Sequence, residues 1–295
     1  MPALTFAGAH TALVTPFKDG KLDEASLSAL IEAQIQGGIS GIVPVGTTGE
    51  SPTLTHEEHR RVIEIAVKVA DKRVLVIAGT GSNATSEAVE LTIEAERLGA
   101  DAALVVAPYY NKPSAEGLYR HFKKIAKAVS IPIVLYSIPG RCGIEIPVSV
   151  VARLAVDCPN VLAIKEAGGK VERVNQLRAA LPASFQILSG DDGLTLPFMD
   201  AGAVGVISVA SNIIPTEVEE LVQSFLRGEV TKTEELHRQF ADLFRDLFIE
   251  PNPVPIKTAL AAKGVCHDDV RLPLCEMSES NKEILIKTLK SLHMV

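Results

Sequence analysis

The sequence predicts a closed (β/α)8 barrel with a C-terminal helical appendage, and three observations carry that prediction. Eight short runs are apolar throughout instead of alternating, helix-spaced segments lie between them, and they recur about every 28 residues as far as Ser208. A strand buried on both faces reads as a continuous Val/Ile/Leu run, and one strand–helix–strand unit takes ~30 residues. Eight such units in 295 residues suit a closed barrel better than an open doubly wound sheet, although the latter would read similarly.

The expected strands are residues 10–15 (HTALVT), 41–45 (GIVPV), 74–78 (VLVIA), 102–107 (AALVVA), 132–136 (PIVLY), 161–165 (VLAIK), 185–189 (FQILS) and 204–208 (VGVIS). Between them Leu27, Leu30, Ile31 and Ile35, then Val62, Ile63, Ala66 and Val69, place apolar side chains on one helical stripe. After Pro215 the strand pattern ends. Helical spacing continues through 219–227, 233–248, 255–263 and 281–293, with a proline-rich joint at 250–256 (EPNPVPI) opening the third. Residues 1–214 are therefore expected to form the barrel, and 215–295 the helical region.

Composition narrows the function. With 47% hydrophobic residues the chain can bury a large core, and a net charge of −7 without a Lys/Arg cluster argues against nucleic acid or an anionic membrane as partner. The first 20 residues lack a basic leader with an apolar signal core, and no uncharged run reaches bilayer length, so a cytoplasmic protein is expected. Cys142, Cys158, Cys266 and Cys275 have no CxxC spacing, which fits reduced thiols better than disulfides or zinc. No metal site is expected.

In such a barrel the chemistry sits at the C-terminal ends of the strands. Those ends read Gly46-Thr-Thr-Gly-Glu50, Gly79-Thr-Gly81, Pro108-Tyr-Tyr-Asn111, Tyr136, Lys165, Gly190-Asp-Asp192 and Ser208. Only a neutral amine attacks a carbonyl, and an unperturbed lysine with pKa ~10.4 is almost wholly charged at neutral pH, so a Schiff-base lysine needs an apolar pocket. The run before Lys165 supplies one. Alone, a lysine at a strand end more commonly snorkels into water. Tyr136 shifts the weighing: neighbouring strands lie ~4.8 Å apart, so its phenol can reach the amine and pass protons.

Thr47 and Thr48, between glycines, offer hydroxyl and backbone N–H donors for a small carboxylate, and a hydroxyl that could extend a relay from Tyr136; a turn with local bonds is the plainer reading. Arg141, in a Pro-Gly-Arg turn, could clamp a substrate carboxylate through its planar fork or simply be a solvated charge. Gly79-Thr-Gly-Ser-Asn-Ala84 fits a dinucleotide fingerprint, but Asp101 precedes the next strand when a ribose would need the acid at its end. His56 and His59 are three apart, not the four of a zinc helix, and Thr55 with Glu58 makes a capping box, so both histidines read as surface residues of a first turn.

With those residues in place the whole chain resembles the dihydrodipicolinate synthase family of class I pyruvate-dependent lyases. The most specific pieces are GTTGES at 46–51, PYYNKP at 108–113, Tyr136 with Arg141, IKEA at 164–167, LSGDD at 188–192, GVISV at 205–209 and EPNPVPIK at 250–257. The resemblance implies an imine between Lys165 and pyruvate held through Thr47 and Thr48. Its enamine would attack L-aspartate 4-semialdehyde, whose carboxylate suits Arg141, within lysine and diaminopimelate biosynthesis. It further implies a proton relay of Tyr136, Thr48 and Tyr110, the last reaching a neighbouring subunit's site, with Gly190 and Ile207 lining the lysine pocket and no cofactor beyond the imine.

A homotetramer built as a dimer of dimers is implied as well, with L-lysine as an effector matched by Ser51, His56, His59, Asn83, Glu87 and Tyr109. Three positions depart from the family pattern: Pro52 stands where some members have alanine, and Ser137 and Cys142 replace the common asparagine and threonine around Arg141. Sibling lyases acting on N-acetylneuraminate or keto-deoxy sugar acids would share Lys165 and Tyr136. A non-catalytic barrel binding small acids would form no imine.

Overall fold

Eight strands, Gly8–Ala12, Gly41–Val43, Leu75–Gly79, Ala102–Val106, Ile133–Ser137, Val161–Glu166, Gln186–Ser189 and Gly205–Ser208, pair in parallel and close on themselves. They belong to a computed structural model that describes residues 4–295, so the first three residues of the expected 1–214 unit lie outside the described residues. Closure is made by the first strand, which pairs with the eighth through Gly8↔Gly205 and with the second through His10↔Gly41. The barrel is thereby left without a free edge.

Strand alternation sorts the side chains. Val43, Ile77, Leu104, Val134, Tyr136, Ala163, Leu188 and Ile207 pack together inside the barrel. Ile42, Val76, Val105, Leu135, Ile164, Ile187 and Val206 face the helices. Because successive residues point to opposite faces, Lys165 shares the inward parity of Ala163, while Glu166 points outward.

The strands match the expected runs within a few residues. The second is shorter at its end, because Pro44 has no N–H to donate and Val45 adopts φ +51°, a left-handed conformation that β-branched residues rarely take. Its strain is held by burial, since Val45 is 1% exposed.

Helix Pro215–Leu226 packs on the first and eighth strands and completes the eighth unit, so the barrel's last helix lies beyond the 214/215 joint. Past it come Val230–Gln239, Ala241–Asp246, Val254–Ala262 and Glu279–Ser291. The segment read as one helix over 233–248 is two, broken where Phe240 leaves the helical conformation and buries its ring. Helix Val254–Ala262 is buried from Val254 through Leu260, which fastens the appendage against the barrel rim.

Candidate active site

Lys165 ends the sixth strand's inward row and is 6% exposed. The register pairs it with Tyr136 on one side and Leu188 on the other, and its Nζ sits 4.4 Å from the centroid of the Tyr136 ring. Burial lowers its pKa to about 8; the Asp192 carboxylate opposes that shift and Arg141 adds to it. Gly190 makes the packing feasible: a Cβ there would stand 2.9 Å from Lys165 Cε and 2.7 Å from Ala167 Cβ. Ile207, almost fully buried, closes the inner layer beside Tyr136 and Leu188.

The Tyr136 phenol is itself buried, which pushes its pKa up to about 12 against the opposing influences of the Thr47 hydroxyl and Arg141. It therefore stays protonated near neutral pH. Of the two adjacent threonine hydroxyls, that of Thr47 is the one that acts on the phenol, opposing the rise in its pKa. Thr48, buried, instead accepts from Asn252 Nδ2 at 2.9 Å.

Several anchors fix the threonine turn. Gly79 lies so close to the end of the second strand that a Cβ would be 2.5 Å from Val45 O, and one on Gly81 would be 2.4 Å from Val106 N. Those glycines serve backbone packing, which accounts for the fingerprint-like spacing without a nucleotide. Behind the turn, Glu50 is buried and pairs with Lys257; its second oxygen accepts from Arg271 N at 3.0 Å. Lys257 also donates to Asp269 O at 2.8 Å and lies over the Phe17 ring.

Arg141 sits on the short helix Pro139–Cys142 after the fifth strand, with Nη2 donating to Asn252 O at 3.2 Å. Asn252 thus touches both carboxylate-binding candidates, Thr48 and Arg141. The two departures beside Arg141 are accommodated. Ser137 is buried and its hydroxyl accepts from Ile146 N at 3.4 Å, while burial pushes the Cys142 thiol up to about 11, keeping it an inert filler. Outside the barrel, Glu166 accepts from Gly168 N at 2.7 Å and pairs with Arg173, which donates to Ile146 O and so links this loop to the sixth strand.

A cavity of about 460 Å³ runs outward from Thr47, Tyr136 and Arg141 to Ser51, His56, His59, Glu87 and Tyr109. Five of the six residues expected to hold an effector therefore line one space with Thr47, Tyr136 and Arg141. Asn83 is placed at its edge, where its carbonyl accepts from Asn111 Nδ2 at 2.9 Å. His56 is exposed and lies 3.2 Å from Glu87, but His59 is not the surface residue its spacing suggested: it is buried and bonded to Gly79 O at 2.9 Å. Tyr110, by contrast, does not line this cavity. It adopts φ +73° and is 88% exposed.

Sequence reasoning missed Asn252, Asp192 and the Glu50–Lys257 pair as parts of the site. A faint signal existed, since GTTGES, LSGDD and EPNPVPIK contain them all.

Comparison with known proteins gives one consistent result. A model of the dihydrodipicolinate synthetase family matches residues 5–292. A 4-hydroxy-tetrahydrodipicolinate synthase of Aquifex aeolicus is 52% identical over 97% of this chain and 97% of its own length. The crystal structure of dihydrodipicolinate synthase from the same organism superposes with a TM-score of 0.97 at 51% identity, covering 98% and 99% of the two chains. A synthase from Cyanidioschyzon merolae, solved with lysine bound, gives a TM-score of 0.96 at 39% identity over 98% and 99%.

Proposed function

The chain belongs to the dihydrodipicolinate synthetase family, and from that premise we propose that Lys165 is the amine through which it makes 4-hydroxy-tetrahydrodipicolinate. The reaction condenses pyruvate with L-aspartate 4-semialdehyde, a lyase-type carbon–carbon chemistry of lysine and diaminopimelate biosynthesis. The observation that carries the residue assignment is a buried lysine, brought to about 8 and stacked on a protonated tyrosine.

Neutral Lys165 Nζ adds to the keto carbon of pyruvate, forming N–C while the C=O π bond opens and a proton passes to oxygen. That oxygen leaves as water, and the nitrogen keeps a positive charge as the protonated imine. Loss of a methyl proton gives the enamine, whose carbon bonds to the aldehyde carbon of the semialdehyde as the aldehyde oxygen takes a proton. The substrate's amine then displaces Lys165 at the imine carbon, closing the ring and freeing the enzyme. The imine is the electron sink, so the reading calls for no separate cofactor.

Tyr136, protonated, passes protons in both directions through Thr47. Tyr110 of a second copy of the chain completes the relay, a role its exposure supports. Thr48 and the turn amides hold the pyruvate carboxylate, Arg141 holds that of the semialdehyde, and Gly190 and Ile207 shape the lysine pocket. L-Lysine occupies the far end of the cavity, with Glu87 and His56 facing its amine and carboxylate, in a tetramer built from dimers. No helix of the described residues is long and apolar enough to cross a membrane, which accords with an enzyme working on soluble metabolites.

The test is intact mass after incubation with pyruvate and borohydride, on wild type and Lys165→Ala, with turnover of aspartate semialdehyde against N-acetylmannosamine. A reduced adduct lost in K165A, with turnover of the semialdehyde alone, is expected. An unmodified wild-type mass would overturn the assignment of Lys165.

A further inference from the structure

The loop that abuts Lys165 carries a buried carboxylate that the sequence of bond changes above does not use. Asp192 follows the seventh strand by three residues and is 2% exposed. Its Oδ2 accepts from the backbone N–H of Val209 at 2.9 Å and of Ala210 at 3.0 Å, while its Oδ1 is buried without any partner among the described residues. The same loop touches the lysine: Gly190 N donates to Glu166 O at 2.8 Å, and Gly190 abuts Lys165 Cε. A half-satisfied carboxylate in such a place calls for an explanation, since an uncompensated buried anion is strongly disfavoured.

We propose that Asp192 is a positioning residue that holds the positive charge of the Lys165 imine, its free oxygen completing its pairing only when that charge is present. The proposal rests on the imine reading of Lys165. Net, a neutral amine, a ketone and one proton become a protonated imine and water, so a charge must be carried in a pocket with almost no solvent. An anion fixed by two amides stabilises it without having to reorganise. In the enamine the nitrogen is neutral and the stabilisation lapses, which confines the effect to the charged intermediates and the steps that form them.

The Tyr136 ring lies against Lys165 Nζ, and the charges that act on the amine are those of Arg141, after the fifth strand, and Asp192, after the seventh; Asp191 and the Ser208 hydroxyl act in turn on Asp192. Among these, only Asp192 favours the lysine's charged form. Burial raises the pKa of Asp192 itself, and the Ser208 hydroxyl and the two amides oppose that rise.

Borohydride trapping of the pyruvate adduct from pH 6 to 10 tests the assignment on wild type, Asp192→Asn and Asp192→Glu, each with its melting temperature. In D192N the acid limb of trapping moves about one pH unit lower and the pyruvate concentration for half-maximal adduct rises roughly tenfold; D192E recovers most of both. A purely structural Asp192 would lower stability without moving the limb. If D192N does not fold, Ser208→Ala gives the same displacement in a smaller step. Adduct in the wild type with limb and extent unchanged in every folded variant overturns the role of Asp192. No adduct in the wild type overturns Lys165 instead.

Discussion

Removing either member of the Glu50–Lys257 pair is expected to damage both stability and the threonine turn. Their side chains are 1% and 0% exposed, and each has further partners in Arg271 N and Asp269 O. Breaking a buried pair leaves one charge unpaired in a low-dielectric interior, at a cost of about 3–5 kcal/mol. For a chain of this size that is a fall of roughly 5–8 °C in melting temperature. We would compare Glu50→Gln, Lys257→Met and the double variant by denaturant and thermal unfolding. The double variant should lose at least ~2 kcal/mol less than the sum of the singles, because it leaves no orphan charge. In E50Q the KM for pyruvate should rise, since Thr47 and Thr48 precede the lost anchor. Singles that cost under ~1 kcal/mol, or that add within ~0.5 kcal/mol, would refute the reasoning.

Three other outcomes follow from the same geometry. Tyr136→Phe should keep its packing but lose ~10²–10⁴-fold in the rate of adduct formation, measured by rapid quench with pyruvate. Arg141→Ala should raise the KM for the semialdehyde at least tenfold while leaving borohydride trapping of pyruvate nearly unchanged; equal loss of both would remove the assigned clamp. Glu58, brought to about 2 chiefly by hydrogen bonding to Arg271, is a carboxyl depressed in the folded state. Its contribution is present above the ordinary range near 4.5 and is lost as pH falls through about 2. Unfolding free energy should therefore drop about 1–2 kcal/mol more between pH 5 and 2 in wild type than in Glu58→Gln.

Much of the site was legible because barrel strands report their own ends. An apolar run that stops at Lys165, beside one that stops at Tyr136, predicts neighbours, and the register pairs those two residues directly. What failed was local and long-range geometry. Thr47 and Thr48 are chemically alike, and spacing alone cannot tell that Thr48 is tied to Asn252 while Thr47 acts on the phenol. His59 is hidden by a contact with Gly79 that helix periodicity alone cannot show. Asn252 reaches Thr48 across 204 positions, a distance at which no pattern of spacing or propensity speaks. The break at Phe240 was invisible for a different reason: the apolar stripe continues through it, while the backbone turns to bury the ring.

The pairing of Glu50 with Lys257 also sets an order of events during synthesis. The two residues are 207 positions apart, so at ~5–20 residues per second the acid emerges ~10–40 s before its counter-ion. During that interval Glu50 must remain hydrated or take up a proton, and the loop carrying Thr47 and Thr48 cannot settle. Ribosome-bound chains ending before residue 257 should thus hold an assembled set of strands around an unfinished rim, and competence for chemistry arrives only once Lys257 has been made.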